Sequence, residues 1–112
     1  MRLYHNPRCS KSRQTLAILK EHGLELEVVH YMDRTLTPND LISLLTKLQM
    51  NPIQLVRRSE AIWKANFKGK TLTDAEIIAA MIANPKLIEC PLVVKGKWAV
   101  LGRPPENVLA LI

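Results

Sequence analysis

The stretch MRLYHNPRCSKSR, residues 1–13, decides how the rest of the chain is read. Leu3 and Tyr4 form a short apolar segment, and Asn6-Pro7 breaks it. Beyond the break, Ser12, Leu16, Leu19 and Gly23 fall on one face at helical spacing. Cys9 therefore sits where a strand turns into a helix N-terminus, with Arg8, Lys11 and Arg13 beside it. A helix N-terminus offers unpaired N–H groups and roughly half a unit of positive charge. Both favour a thiolate over a thiol, as do the cations, and cysteines in such settings titrate anywhere from about 3.5 to 7.5. A free cysteine is commonly a small buried hydrophobe. Polar and cationic neighbours on both sides do not suit a core position, so Cys9 is expected to be a nucleophile at an anion site. Arg13 is either an anion ligand or a solvated helix residue, and Ser12 either tunes the thiol or is a small core-facing residue.

Working outward, Gly23 ends the first helix, and Leu26, Val28 and His30 alternate with Glu25, Glu27 and Val29 as a second strand. Thr37-Pro38 supplies an N-cap and a proline at the first helical position. Leu41, Leu44, Leu45 and Leu48 then mark a helix face that Asn51-Pro52 breaks. Short helical pieces are expected over residues 53–67. Thr73 and Glu76 form a capping box ahead of Ile77, Ile78, Met81 and Ile82, and Asn84-Pro85 stops that helix. Pro91 to Val94 and Lys97 to Leu101 read as a hairpin turning at Lys95-Gly96. Gly102-Arg103-Pro104-Pro105 leads into a terminal helix from Glu106 to about Ile112.

Without its helical block the order is β-α-β, then β-β-α. That is the order of an α/β thioredoxin-like fold: a mixed four-stranded sheet with flanking helices. Residues from about 34 to 85 form a helical insertion, and residues 1–112 form a single domain.

The apolar fraction of 47% fits a globular protein. No apolar run approaches the roughly 20 residues needed to span a bilayer, and no secretory signal pattern opens the chain. Cys9 and Cys90 lie 81 positions apart and make neither a disulfide framework nor a metal-ligand spacing. A cytoplasmic protein with no bound metal, no bound cofactor and no membrane association is expected. The net charge of +6 is spread along the chain, and the aromatics are not interleaved with the cations as stacking platforms. The charge suits a small anionic substrate or an acidic partner protein better than nucleic acid.

His5-Asn6-Pro7-Arg8-Cys9-Ser10-Lys11-Ser12-Arg13 resembles the N-terminal motif of the glutaredoxin-dependent arsenate reductase (ArsC-like) family. Leu55-Val56-Arg57-Arg58 resembles that family's Leu-Leu-Arg-Lys segment. Pro91-Leu92-Val93-Val94 and Gly102-Arg103-Pro104 match its third strand and late arginine-proline. The resemblance spans essentially the whole chain. It implies that Cys9 attacks arsenate, that glutathione serves as co-substrate and reduces the adduct, and that glutaredoxin strips glutathione from Cys9. Arg57 and Arg103 match the oxyanion-binding arginines, with Ser10, Lys11 and Arg13 also at the anion. His5 and Ser12 tune the thiolate by hydrogen bonding.

The chain departs from the family at one place. Where the well-studied reductases carry Asn-Arg-Pro, this sequence has Glu89-Cys90-Pro91. A thiol replaces a guanidinium that would clamp the anion. The thioredoxin-like fold implies a cis Cys90–Pro91 bond here, with the Cys90 backbone expected near Cys9. Cys90 is then either a resolving thiol or a packing residue. The departure keeps two other functions open. One is a glutathione-dependent thiol oxidoreductase of unknown substrate. The other is an Spx-like regulator that binds RNA polymerase, although Ser12 stands where such regulators usually carry the second cysteine of a Cys-x-x-Cys switch.

Overall fold

Leu3 and Tyr4, both buried, start the sheet. The computed structural model describes residues 1–33 and 36–112, so Arg34, the expected start of the insertion, lies outside the described residues. Four strands form one mixed sheet: β1 Arg2–Tyr4, β2 Glu27–Val29, β3 Leu92–Lys95 and β4 Trp98–Leu101, in the order β2-β1-β3-β4. β2 runs parallel to β1, with Leu3 opposite Val28. β3 runs antiparallel to β1, with Leu3 opposite Val93, and β4 runs antiparallel to β3. A parallel β1–β2 pair needs a crossover rather than a tight turn, and helix α1, Ser10–Glu21, supplies it.

Leu3, Leu19, Val93 and Val108 are fully buried together, which joins sheet, α1 and chain end in one core. Fully burying side chains of this size stabilises the fold by about 1.5–3 kcal/mol each. Helix α1 buries Ser12, Thr15 and Leu19, whereas Leu16 is only half-buried and Gly23 is exposed. The buried face is thus rotated toward Thr15 relative to the face expected from apolar residues alone.

The chain divides into two compact units, Met1–Arg34 with Cys90–Ile112, and Thr35–Glu89. The second is all helical: α2 Pro38–Leu48, α3 Pro52–Leu55, α4 Ala61–Asn66 and α5 Asp74–Ala83, followed by a 3-10 turn at Pro85–Leu87. Its caps follow from the sequence. Thr37 and Thr73 each accept from the backbone N–H three residues on, while Asp40 and Glu76 accept from the cap N–H in return. Asn51-Pro52 ends α2's run and also starts α3, because the Gln54 side chain accepts the Asn51 N–H at 2.7 Å. Leu41, Leu44 and Leu45 of α2 and Ile77, Ile78, Ala80 and Met81 of α5 are buried where these two helices pack.

Two local details differ from expectation. The hairpin turns at Gly96-Lys97, one residue later than expected, and Lys95 pairs with Trp98. Gly96 takes a positive φ of 59°, which glycine adopts at little cost. The terminal segment Pro105–Leu111 is a 3-10 helix, with Asn107 N–H donating to the Pro104 carbonyl at 3.0 Å.

Candidate active site

The backbone of residues 5–9 is built to present Cys9. The His5 N–H donates to the Val29 carbonyl at 2.8 Å, which extends the β1–β2 ladder to the last residue before the turn. The Asn6 side chain then accepts from Arg8 N–H at 3.0 Å, and the Asn6 carbonyl accepts from Cys9 N–H at 3.0 Å. Asn6 thus organises the turn, a role that its position beside Pro7 does not reveal. Arg13 donates from Nη1 to the Pro7 carbonyl at 2.8 Å, so its guanidinium braces the same turn.

Cys9 is the N-cap of α1, with extended backbone (φ −91°, ψ 119°), and the first intrahelical bond runs from Arg13 N–H to its carbonyl. The N–H groups of Ser10, Lys11 and Ser12 precede that first bond and have no intrahelical acceptor. The Cys9 side chain is 8% exposed, shielded yet reachable. Ser10 is exposed and Lys11 half-buried at the same helix start.

Opposite the thiol lies the start of β3. Both Cys90–Pro91 and Arg103–Pro104 are cis, the second not foreseen in the sequence. The Cys9 thiol lies 3.8 Å from the Cys90 carbonyl oxygen. Arg103 bridges the two: its Nη1 donates to the Cys90 carbonyl at 3.0 Å and to Cys9 Sγ at 3.8 Å. Ionisation removes the thiol's proton and with it the donation to the Cys90 carbonyl. Arg103 already satisfies that carbonyl and directs a permanent positive charge at the sulfur. Cys90 is 1% exposed, and no disulfide joins it to Cys9.

His5 and Ser12 lie behind the turn. His5 Nδ1 is 2.6 Å from Ser12 Oγ, and that oxygen also accepts from Asn6 N–H at 3.1 Å. Burial pushes the His5 imidazole below its ordinary range, and the nearby His30 and the cations Arg13 and Lys20 push it further. The His30 ring meets it edge-on with centroids 5.7 Å apart. A neutral His5 has two ways to pair with Ser12. Either Ser12 donates to Nδ1, or Nδ1–H donates to Oγ and leaves the hydroxyl proton for another acceptor.

Arg57 belongs to the helical unit. A β-bridge between Val56 and Ile88 brings its backbone beside the chain leading to Cys90, with Arg57 N–H donating to the Leu87 carbonyl at 2.7 Å. Arg57 Nε lies 3.7 Å from Glu89 Oε2. The residue that precedes Cys90 is thus the ion-pair partner of a candidate anion ligand.

Two further residues support the site. A Cβ on Gly102 would lie 2.7 Å from Pro91 Cγ and 2.8 Å from Thr15 Oγ1, so only glycine admits this approach of the β4 end to α1. Asn107 Nδ2 donates to the Leu101 and Arg103 carbonyls, each at 3.2 Å, and fixes the backbone that carries the Arg103 guanidinium. A glycine directly before Arg103-Pro104 is the only one of these that sequence could have flagged. Among the described residues no group of His, Cys, Asp and Glu could hold a metal ion, and no helix is long and apolar enough to cross a membrane.

The site is thus a thiol at a helix start, faced by an arginine and a strand-opening proline. The model of the ArsC family matches residues 4–111. The chain belongs to the ArsC family. It is 38% identical to an arsenate reductase of Haemophilus influenzae, with 98% of this chain and 97% of that protein aligned. It is 46% identical to the uncharacterized protein YfgD of Escherichia coli over 100% of this chain and 96% of that protein. Among solved structures, an arsenate reductase from Vibrio cholerae superposes with a TM-score of 0.93 at 40% identity, covering 100% of this chain and 98% of that one. The ArsC architecture is the thioredoxin-like one expected from the element order.

Proposed function

We propose that this ArsC-family chain is an oxidoreductase that reduces arsenate through Cys9, with glutathione as co-substrate and glutaredoxin as partner. The observation that carries the reading is the Arg103 guanidinium directed at Cys9 Sγ at 3.8 Å. In the first step the Cys9 thiolate forms a sulfur–arsenic bond, and one arsenate oxygen leaves as water after protonation. The N–H groups opening α1 and the Arg103 guanidinium balance the negative charge of the oxyanion. Glutathione's thiolate then attacks Cys9 sulfur. A disulfide forms, the sulfur–arsenic bond breaks, and its electron pair leaves on arsenic, which departs as arsenite. Glutaredoxin takes the glutathionyl group and returns the Cys9 thiol. Arg57 is the second candidate oxyanion ligand, by its match to the family. His5 and Ser12 act as positioning residues that hold the turn carrying Cys9.

One observation favours a second reading. The residue before Pro91 is a cysteine, whose backbone carbonyl accepts from Arg103, where the resembled reductases carry an arginine. With one anion clamp fewer, the same thiol suits reduction of a glutathione mixed disulfide.

A coupled NADPH-oxidation assay separates the two readings. With glutathione, glutaredoxin and arsenate present, arsenate-dependent turnover that vanishes in Cys9→Ser supports the first. Turnover with a glutathione mixed disulfide and none with arsenate replaces it with the second.

A further inference from the structure

The helical unit carries a cationic feature of its own. Five of the residues from Arg57 to Lys70 are cationic and only Glu60 is acidic. Helix α4 and the turn after it fold this segment around a groove of about 350 Å³, lined by Ile53, Trp63 and Phe67 and by Arg58, Lys64 and Lys68 among its cations. Trp63 and Phe67 stack with centroids 5.3 Å apart. Lys68 N–H folds back onto the Trp63 carbonyl at 2.9 Å, and Gly69 takes a φ of 80°, which turns the following Lys70 back to the same groove. No carboxylate lines the groove among the described residues.

The chemistry of a fitting ligand follows from this arrangement. The four lining cations are exposed and stand around an apolar floor. A small oxyanion needs donors that converge on one point, whereas separated, flexible ammonium groups suit a string of carboxylates. Single-stranded nucleic acid needs open aromatic faces on which bases stack. Here Trp63 is buried and one face of Phe67 is taken by Trp63. The half-buried Phe67 edge and Ile53 instead offer a contact for one apolar side chain. We propose that this groove docks an acidic segment of a partner protein, with carboxylates on Arg58, Lys64, Lys68 and Lys70 and one apolar residue on the Ile53–Phe67 floor.

The test is an NMR titration of the whole, isotope-labelled chain with a Glu/Asp-rich peptide carrying one central phenylalanine. Amide shifts should cluster at Arg58, Lys64, Phe67, Lys68 and Gly69, and binding should weaken as salt rises. The exposed double variant Lys64→Glu/Lys68→Glu should bind about tenfold more weakly, since each exposed ion pair lost or reversed shifts affinity only a few-fold. It should leave the Cys9 alkylation rate unchanged. A peptide with serine in place of phenylalanine should bind several-fold more weakly to the unaltered chain, which separates the apolar anchor from charge alone. Shifts elsewhere on the chain would overturn the proposal. So would equal affinity for the serine peptide, or groove binding by single-stranded DNA in place of the acidic peptide.

Discussion

Arg103 Nη1 reaches Cys9 Sγ across 94 positions of sequence while holding the Cys90 carbonyl at 3.0 Å. One guanidinium nitrogen thus links the start of β3 to the Cys9 thiol. A hydrogen bond to a charged group contributes about 1.5–3 kcal/mol, and each 1.4 kcal/mol or so is tenfold in rate. Arg103→Ala should lower turnover with an anionic substrate by roughly one to two orders of magnitude. Arg103→Lys should recover only part of the loss, because an ammonium lacks the planar fork that fits an oxyanion. Steady-state kinetics on the two variants, with circular dichroism to confirm folding, check this.

The Cys9 thiol should ionise below the ordinary cysteine range of about 8.5. The α1 N-terminus and the Arg103 guanidinium both favour the thiolate. Alkylation rate against pH, measured in Cys90→Ser so that only Cys9 reacts, gives the apparent value. The same measurement in Arg103→Ala should shift the midpoint upward. A wild-type midpoint at or above 8.5 would show that the helix terminus and the arginine do not act on the sulfur.

The legible and hidden parts of this molecule differ by physical origin. The capping boxes at Thr37 and Thr73, the leucine face of α2 and the apolar core strands obey local rules, so sequence alone places them. The Cys9 environment is legible for the same reason, since cations and a helix start lie within a few residues of the thiol. Arg103 enters only through resemblance to the ArsC family, because no local rule brings residue 103 to residue 9. The Cys90 carbonyl that receives Arg103 is a backbone atom and has no sequence signature. Asn6 and Asn107 act by bonding loop backbone, and such a role is visible only once the loop is folded. The rotation of the α1 face toward Thr15 has no apolar signature, because a buried threonine reads as polar in an apolar pattern.

His5 should make stability fall as acid is added. Its imidazole titrates below the ordinary 6.5 because burial, then His30 and the cations Arg13 and Lys20, oppose the charged form. Between the lowered native value and 6.5 the unfolded chain binds more protons than the native one, so stability rises with pH. The contribution is fully present above about 6.5 and is lost as pH falls through the native value. Urea unfolding between roughly pH 5 and 7 should show this slope, and a His5→Gln variant should flatten it. A slope of the same size in the variant would assign the effect to other groups. Ser12→Ala tests the other half of the pair. It leaves His5 Nδ1 and Asn6 N–H without their shared partner in a buried setting, at a cost of about 1–3 kcal/mol and a Tm several degrees lower.

Gly102 ties packing to the placement of Arg103 most directly. Its backbone lies so close to α1 and β3 that an added methyl would meet Thr15 Oγ1 at 2.8 Å and Pro91 Cγ at 2.7 Å. Neither neighbour can yield easily: Thr15 is fully buried within α1, and the Pro91 ring is rigid and buried. Gly102 N–H also donates to the Pro91 carbonyl at 2.9 Å, so moving the chain away breaks a bond that aligns β4 with the start of β3. Overpacking of this kind costs about 1–3 kcal/mol. The displacement falls on the residue next to Arg103, so Gly102→Ala should reduce turnover beyond what its stability loss explains. A double-variant measurement distinguishes the two effects. If Gly102→Ala acts by moving Arg103, it should slow wild type severalfold but add little to Arg103→Ala, while the drop in Tm appears in both backgrounds. Equal slowing in both backgrounds would mean that Gly102 supports the fold without positioning Arg103.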